Sequence, residues 1–321
     1  MAKQAQLVLG TAQIGMPYGI ANKTGFPTEA KAVALIREAI DAGITTIDTA
    51  RAYGLAEARI GQALRGGHNV TVVTKLDPLD RIAADAPAEI AIAAAEVSLA
   101  RSRAALQVDR LGVVLLHRAN HRTAWGGTVW LHLSEMQAQG RIGALGVSAQ
   151  SPAELLDALT DPQVQHVQLP FNLLDWRWAE AGAIDALRAQ PNINVHIRSA
   201  FLQGLLANDI EQWSAVHGVS SLAINQRLDR LAAETSRQNR ADLCIAFVRS
   251  QDWIDGVVIG MEHSDQLRNN LELFSRPPLS GDECERIYSA VPRLPEALLN
   301  PVLWAKDDLE NPKSILLRSN T

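Results

Sequence analysis

The sequence predicts a closed (β/α)8 barrel, and three observations carry the prediction. Eight short apolar runs alternate with eight longer amphipathic stretches along the 321 residues. Most of the runs are continuous rather than alternating in polarity, as expected of parallel strands covered on both faces. The rival arrangement, an open doubly wound sheet, usually has fewer strands and a glycine fingerprint in its first turn; none follows "LVLGTA".

The elements follow in order. "LVLGTA" (7–12) reads as the first strand, and residues 28–43 as a helix. That helix sets Ala32, Leu35, Ile36 and Ala39 on one stripe and stops at Gly43, a suitable C-terminal cap. "TTIDTA" (45–50), a helix over 56–64, "VTVVTKL" (70–76) and a helix over 87–103 continue the alternation. "RLGVVLLH" (110–117), a helix over 125–139 and "IGALGVSA" (142–149) come next. The helix over 152–160 has Ser151 as N-cap, Pro152 at its first position and Glu154 in its first turn. "HVQLPFN" (166–172), a helix over 179–189, "NVHIRSA" (194–200), a broken helix over 225–250, "IDGVVIG" (254–260) and a helix over 264–274 complete the set. No linker or low-complexity tract divides the chain, so residues 1–321 read as one domain. The proline-richer segment 276–321 reads as a C-terminal extension packing on the barrel.

Composition narrows the function classes. Hydrophobic residues at 47% and charged residues at 20% are ordinary for a globular protein. A net charge of -5 and no dense Lys/Arg run argue against a nucleic-acid partner, although a bound nucleotide needs only local donors. Cys244 and Cys284 give neither metal spacing nor a disulfide framework. No apolar run reaches the roughly 18 residues of a membrane span, so a soluble, cytoplasmic protein without membrane partners is expected; the oligomeric state is not readable.

In such a barrel the site gathers at the C-terminal ends of the strands. Asp48, Lys75, His117 and Ser148 fall there, Gln168 lies within strand six, and Tyr53 follows in the loop after strand two. Each has a plain structural reading: Asp48 as a turn cap, Lys75 as a solvated strand end, His117 as a core histidine, Tyr53 as a loop closure. Their convergence on one rim favours chemistry. A phenol, with a pKa near ~10, is a poor donor at neutral pH unless its anion is stabilised. A lysine beside it does that, an aspartate keeps the lysine charged, and a histidine can orient a carbonyl oxygen. Such an assembly protonates a carbonyl while a cofactor delivers hydride to carbon.

Here the sequence resembles the aldo-keto reductase superfamily over about residues 7 to 274. The matching stretches are "LGTAQIG", "AIDAGITTIDTARAYGLAE", "VVTKL", "LLHRAN", "GRIGALGVS", "VQLPFN", "RSAFLQGLL" and "GVVIGMEHSDQLRNNL". The resemblance implies a catalytic tetrad of Asp48, Tyr53, Lys75 and His117, with Tyr53 as general acid/base. It implies that Ser148 and Gln168 hold the nicotinamide carboxamide, that Thr11 and Asp48 touch the cofactor, and that Ser199, Phe201, Gln203 and Gly204 wrap the pyrophosphate. Gly260, Met261, Gln266, Asn269 and Asn270 match the region of the adenosine end, and NADP(H) is expected ahead of NAD(H).

The departures matter. Ala149 replaces a frequent Asn, and Arg198 stands where a tyrosine often stacks on the nicotinamide; a guanidinium can stack or contact phosphate. Gly260, Met261 and Gln266 replace a common Lys-Ser pair and Arg that grip the 2′-phosphate, with Arg268 nearby at a different phase. Ala12 replaces a bulky aromatic of many relatives. Met16, Tyr18, Trp125, Phe171, Trp176 and Trp178 are loop residues that could line the substrate mouth. The branch resemblance of "RSAFLQGLL" favours a sugar-like or polar carbonyl. Two alternatives stand beside this reading: a Schiff-base aldolase with Lys75 as nucleophile, and a non-catalytic module that binds nicotinamide cofactor.

Overall fold

The structure, a computed structural model, describes residues 4–18, 25–207 and 221–301. Eight parallel strands close in sequential order: β1 (Gln6–Gly10), β2 (Thr46–Asp48), β3 (Thr71–Lys75), β4 (Leu111–Leu116), β5 (Ile142–Ser148), β6 (His166–Pro170), β7 (Asn194–Arg198) and β8 (Gly256–Gly260). β8 returns to β1, with Gln6 opposite Gly256 and Gly10 opposite Gly260. All eight expected strands are present, each trimmed by a residue or more because the polar ends turn into loops. The helices around them are α1 (Ala12–Gly15), α2 (Glu29–Asp41), α3 (Ala56–Ala63), α4 (Ala88–Leu106), α5 (Thr128–Ala138), α6 (Pro152–Ala158), α7 (Arg177–Glu180), α8 (Ala183–Arg188), α9 (Ser221–Glu234), α10 (Arg240–Arg249), α11 (Ser264–Ser275), α12 (Gly281–Ala290) and α13 (Glu296–Leu299).

Where helices differ from expectation, backbone conformation explains it. Residues 179–189 were expected as one helix, but Gly182 at φ 72° ends α7 and starts α8. α5 begins at Thr128 rather than 125 because Trp125, Gly126 and Gly127 are all left-handed. The break expected within 225–250 falls between Glu234 and Arg240; Ser236 is left-handed and Asn239 caps α10 by accepting from Asp242 N at 3.0 Å. α1 was not expected. The Ser151, Pro152 and Glu154 start of α6 is as expected, with the Ser151 hydroxyl accepting from Glu154 N.

Two apolar layers hold the barrel. Outward residues such as Ile47, Val114, Val167, Leu169 and Ile197 pack under the helices. Inward residues Val73, Val113 and Leu115, with Ala144, fill part of the lumen. Because side chains alternate along a strand, these inward residues set the phase that brings Lys75 and His117 into the barrel mouth two residues on. Within residues 276–301, Tyr288 stacks edge-on to Phe247 of α10, and Arg227 of α9 bonds Ala290 O at 3.0 Å. The rest of the expected extension lies outside the described residues. Both cysteines are free and buried, and burial pushes the Cys244 thiol up to about 12, as suits inert packing. Among the described residues no helix is long and apolar enough to cross a membrane.

Candidate active site

The inward phase of neighbouring strands assembles the site. Asp48 ends β2, Lys75 ends β3, His117 follows β4, Ser148 ends β5, Gln168 lies on β6 and Arg198 ends β7. Lys75 and Asp48 are both buried, and the ammonium reaches both carboxylate oxygens, Oδ1 at 2.8 Å and Oδ2 at 2.9 Å. Its remaining bond goes to Thr49 O at 3.0 Å. Burial pulls the Lys75 pKa down, but Asp48 and then Tyr53 push it up, and the net displacement is upward. A charged ammonium is therefore fixed in the mouth. It sits 5.1 Å from the centroid of the Tyr53 ring. The His117 imidazole meets that ring edge-on at 6.1 Å. Burial first, then the charges of Lys75, Arg118 and Arg198, lower His117 to about 3, so it is neutral near pH 7.

Tyr53 is placed by backbone, not by chance. Its N–H bonds Ala50 O at 3.0 Å, its carbonyl accepts from Ala56 N, and Leu55 N bonds Gly15 O at 3.1 Å. The approach of α1 is so close that a Cβ on Gly15 would lie 2.0 Å from Tyr53 O. Gly54, at φ +54°, lets the chain turn there.

The same mouth holds unsatisfied groups that fit a nicotinamide dinucleotide. Gln168 donates Nε2 to Asp48 Oδ1 at 2.7 Å, which leaves its buried Oε1 with no partner. A primary carboxamide N–H would satisfy that acceptor. Ser148 is buried and lies opposite Gln168 in register. The Thr11 hydroxyl donates to Asp48 O at 2.7 Å, so its oxygen braces β1 against β2. After β7 the backbone is left-handed at Ser199 (φ 64°), Leu202 (φ 46°), Gln203 (φ 55°) and Gly204 (φ 93°). Strain of this kind persists at ligand clamps. It is held by Leu206 N bonding Phe201 O at 3.1 Å and by Asn172 Nδ2 bonding Ser199 O at 3.4 Å.

A family model described as "Aldo/keto reductase family" matches residues 6–292. The chain belongs to the aldo/keto reductase family. It is accordingly an NAD(P)(H)-dependent oxidoreductase. Among curated relatives, L-glyceraldehyde 3-phosphate reductase of Escherichia coli is 24% identical over 290 residues, covering 79% of this chain and 82% of that protein. Methylglyoxal reductase YeaE of Escherichia coli is 27% identical over 212 residues, covering 60% and 68%. Among solved structures, aldo-keto reductase AKR11C1 from Bacillus halodurans superposes with a TM-score of 0.73 at 20% identity, over 92% of this chain and 98% of that one.

Of the loop residues expected at the mouth, Tyr18 is exposed, whereas Phe171 and Trp178 are core. Tyr18 is 46% exposed, and burial of its hydroxyl, then the charge of Tyr53, raises its pKa, while Arg198 and Lys75 pull it the other way. Phe171 does not line the mouth. It is fully buried against Phe247 of α10 and Trp253, because one step past inward-phase Pro170 turns it to the helical side. Trp178 is likewise core, donating to Asp175 Oδ2 at 3.1 Å. Trp176 donates to Leu294 O at 3.0 Å, tying the loop after β6 to the C-terminal segment. Trp125 donates to Ala83 O at 2.9 Å and leans on His121, so its N–H and its ring serve loop packing. Ala12 and Met16 are half-buried in and just after α1.

At the far end, Met261 and Asn270 are buried and Asn269 is exposed. Gln266 Oε1 accepts from Glu262 N at 2.6 Å, capping α11, and Arg268 faces outward, paired with Asp265 and Glu38. Gly260 packs directly against the Gln13 amide, which donates to Glu262 Oε1 at 3.2 Å. Gln13 and Glu262 fall inside family-matching stretches without standing out there as site residues, and Arg59, whose guanidinium bonds Ile14 O, falls outside them. Glu57 did, as the last residue of "IDTARAYGLAE": buried, it accepts from Thr74 Oγ1 at 2.7 Å and from Arg51, fastening the Tyr53 loop to β3.

Proposed function

We propose that the protein interconverts a small polar aldehyde or ketone and its alcohol, with Tyr53 as general acid in reduction and general base in oxidation. The observation that carries this reading is the buried, charge-fixed Lys75–Asp48 pair beneath the Tyr53 ring, with neutral His117 across it. The bound nicotinamide dinucleotide supplies or accepts the hydride. Tyr53 gives its proton to the carbonyl oxygen, and the Lys75 charge stabilises the phenolate left behind. His117, uncharged, offers one N–H to that oxygen without competing as the acid. Ser148 and Gln168 orient the carboxamide, with Asp48 fixing the Gln168 amide. Thr11, together with the loop Ser199, Phe201, Gln203 and Gly204, borders the rest of the cofactor.

Gly260, Met261, Gln266, Asn269 and Asn270 would border the adenosine end. NADP(H) is kept ahead of NAD(H) on the family resemblance, although Gln266 is engaged as a cap and Arg268 is paired on the outer face. The two curated relatives are reductases, by name, of glyceraldehyde 3-phosphate and methylglyoxal, which supports a small polar or sugar-like carbonyl. The aldolase alternative fares poorly, because a nucleophilic amine must be neutral whereas the Lys75 ammonium spends its donors on Asp48 and Thr49.

The test is a panel of small aldehydes, ketones and sugars with NADPH and NADH, read at the nicotinamide absorbance, on wild type and Tyr53→Phe. Loss of the general acid is expected to lower kcat by about 10²–10⁴-fold while dinucleotide binding persists. Undiminished turnover by the phenylalanine variant would sink the assignment. Binding of either dinucleotide with no turnover of any panel member would favour the non-catalytic module.

A further inference from the structure

One charge in the mouth has no counterpart. Lys75 is neutralised by Asp48, Arg118 by Asp80 at 3.0 Å, and His117 is uncharged near pH 7. Arg198 remains. Val195 and Ile197 of β7 pack outward under the helices, which turns His196 and Arg198 into the barrel. His196 meets His166 at 4.3 Å in the lumen, so Arg198 lies one inward step above it, at the mouth. Its charge acts on His117, Tyr18 and Lys75 together, in keeping with that place at the mouth. Its Nη2 is buried with no hydrogen-bond partner, and no carboxylate among the described residues pairs with it. A guanidinium in that condition is a site for an anion, since its planar fork matches carboxylate and phosphate.

We infer that Arg198 is a specificity residue of the substrate site, binding a phosphate or carboxylate carried by the carbonyl substrate. The Tyr18 hydroxyl, on which the Arg198 charge acts, adds a neutral donor. This rests on the proposed reductase reading and deepens it: the preferred carbonyl compound is anionic. A contact with the cofactor is the competing use of Arg198, and the experiment separates the two.

Paired substrates that differ only by the charged group make the comparison: glyceraldehyde 3-phosphate with glyceraldehyde, and 4-carboxybenzaldehyde with benzaldehyde. Wild type should favour the anionic member of at least one pair by about tenfold or more in kcat/KM, and which pair distinguishes phosphate from carboxylate. Arg198→Gln should cut that ratio by about tenfold, chiefly through KM of the anionic member, and Arg198→Lys should restore part of it. Dinucleotide affinity of each variant, from tryptophan fluorescence, reports folding and cofactor contact independently. A second binding arm titrates inorganic phosphate and 4-carboxybenzoate into the dinucleotide complex; wild type should bind one of them more tightly than Arg198→Gln. Equal losses for charged and neutral substrates together with weakened dinucleotide binding would assign Arg198 to the cofactor and overturn the inference. So would a wild type that shows no preference for an anion in either arm. Failure of the reductase reading looks different: turnover insensitive to Tyr53→Phe, or no dinucleotide binding at all.

Discussion

The Lys75–Asp48 pair is where a single atom's chemistry decides most. Its two side chains are 1% and 4% exposed, so neither charge tolerates losing the other. Asp48→Asn removes the carboxylate charge that outweighs burial at Lys75. The lysine is then left with Thr49 O and a desolvated ammonium. Destabilisation by about 3–5 kcal/mol is expected, read from urea unfolding near pH 7. The sign with pH follows from the direction of the shift. Because the folded-state lysine pKa is raised, its stabilising contribution is complete below the unfolded value and is lost as pH climbs through the folded one. In the variant the upward push is gone, so the alkaline limb of kcat/KM should move to lower pH. A variant as stable as wild type, with an unmoved alkaline limb, would show that the pair is not the anchor of the site.

At the scale of elements, the loop that carries Tyr53 is held by one helix that approaches without side chains. α1 meets the Tyr53 turn through Gly15, where an added Cβ would also lie 2.6 Å from Ala56 N. Neither obstacle is the end of a flexible side chain; both are backbone. Gly15→Ala should therefore shift the Tyr53 segment and lower kcat by about tenfold to a hundredfold, more than the KM effect, with stability reduced by about 1–3 kcal/mol. Steady-state kinetics beside urea midpoints measure both; a kcat within twofold of wild type would show that the loop absorbs the methyl group. This contact also marks what the sequence could and could not reveal. Asp48 and Tyr53 were legible because one short stretch holds both, and Lys75, His117 and Gln168 because strand periodicity repeats the inward phase. Gln13 was not, since its partner Glu262 is 249 residues away. Nor was Arg59, which reaches 45 residues back to Ile14. Phe171 was misjudged for a related reason: one residue past a strand reverses the facing, and only the register with β7, Pro170 opposite Arg198, settles which face it takes.

For the molecule as a whole, the barrel keeps imidazoles inside a lumen that disfavours their charge. His166 and His196 are 4% and 5% exposed and stacked edge-on at 4.3 Å. Burial, then the neighbouring His196, holds His166 well below its ordinary value, and burial lowers His196 to about 4 despite the opposing pull of Asp48 and Asp255. In the unfolded chain both titrate near ~6.5. Between that value and the folded ones the unfolded state binds more protons, so stability must fall as pH drops. Each histidine contributes about 1.4 kcal/mol per pH unit once below ~6, so cooling of stability from pH 6.5 to 5 amounts to roughly 2 kcal/mol apiece. Carboxylates held low by ion pairs, such as Asp80 through Arg118, act in the same direction, so the acid slope alone does not isolate the lumen. The decisive comparison is His166→Leu, which replaces a ring whose Nε2 has no partner by an apolar side chain of similar, slightly larger volume. Whatever it costs in packing is constant with pH, whereas its proton linkage vanishes. Urea midpoints at pH 7.5, 6.0 and 5.0 should therefore show a shallower decline in the variant by about 1.4 kcal/mol per pH unit below ~6. Parallel declines in the two proteins would mean that the unfolded and folded states hold the same protons at this site, and that the lumen tolerates imidazolium.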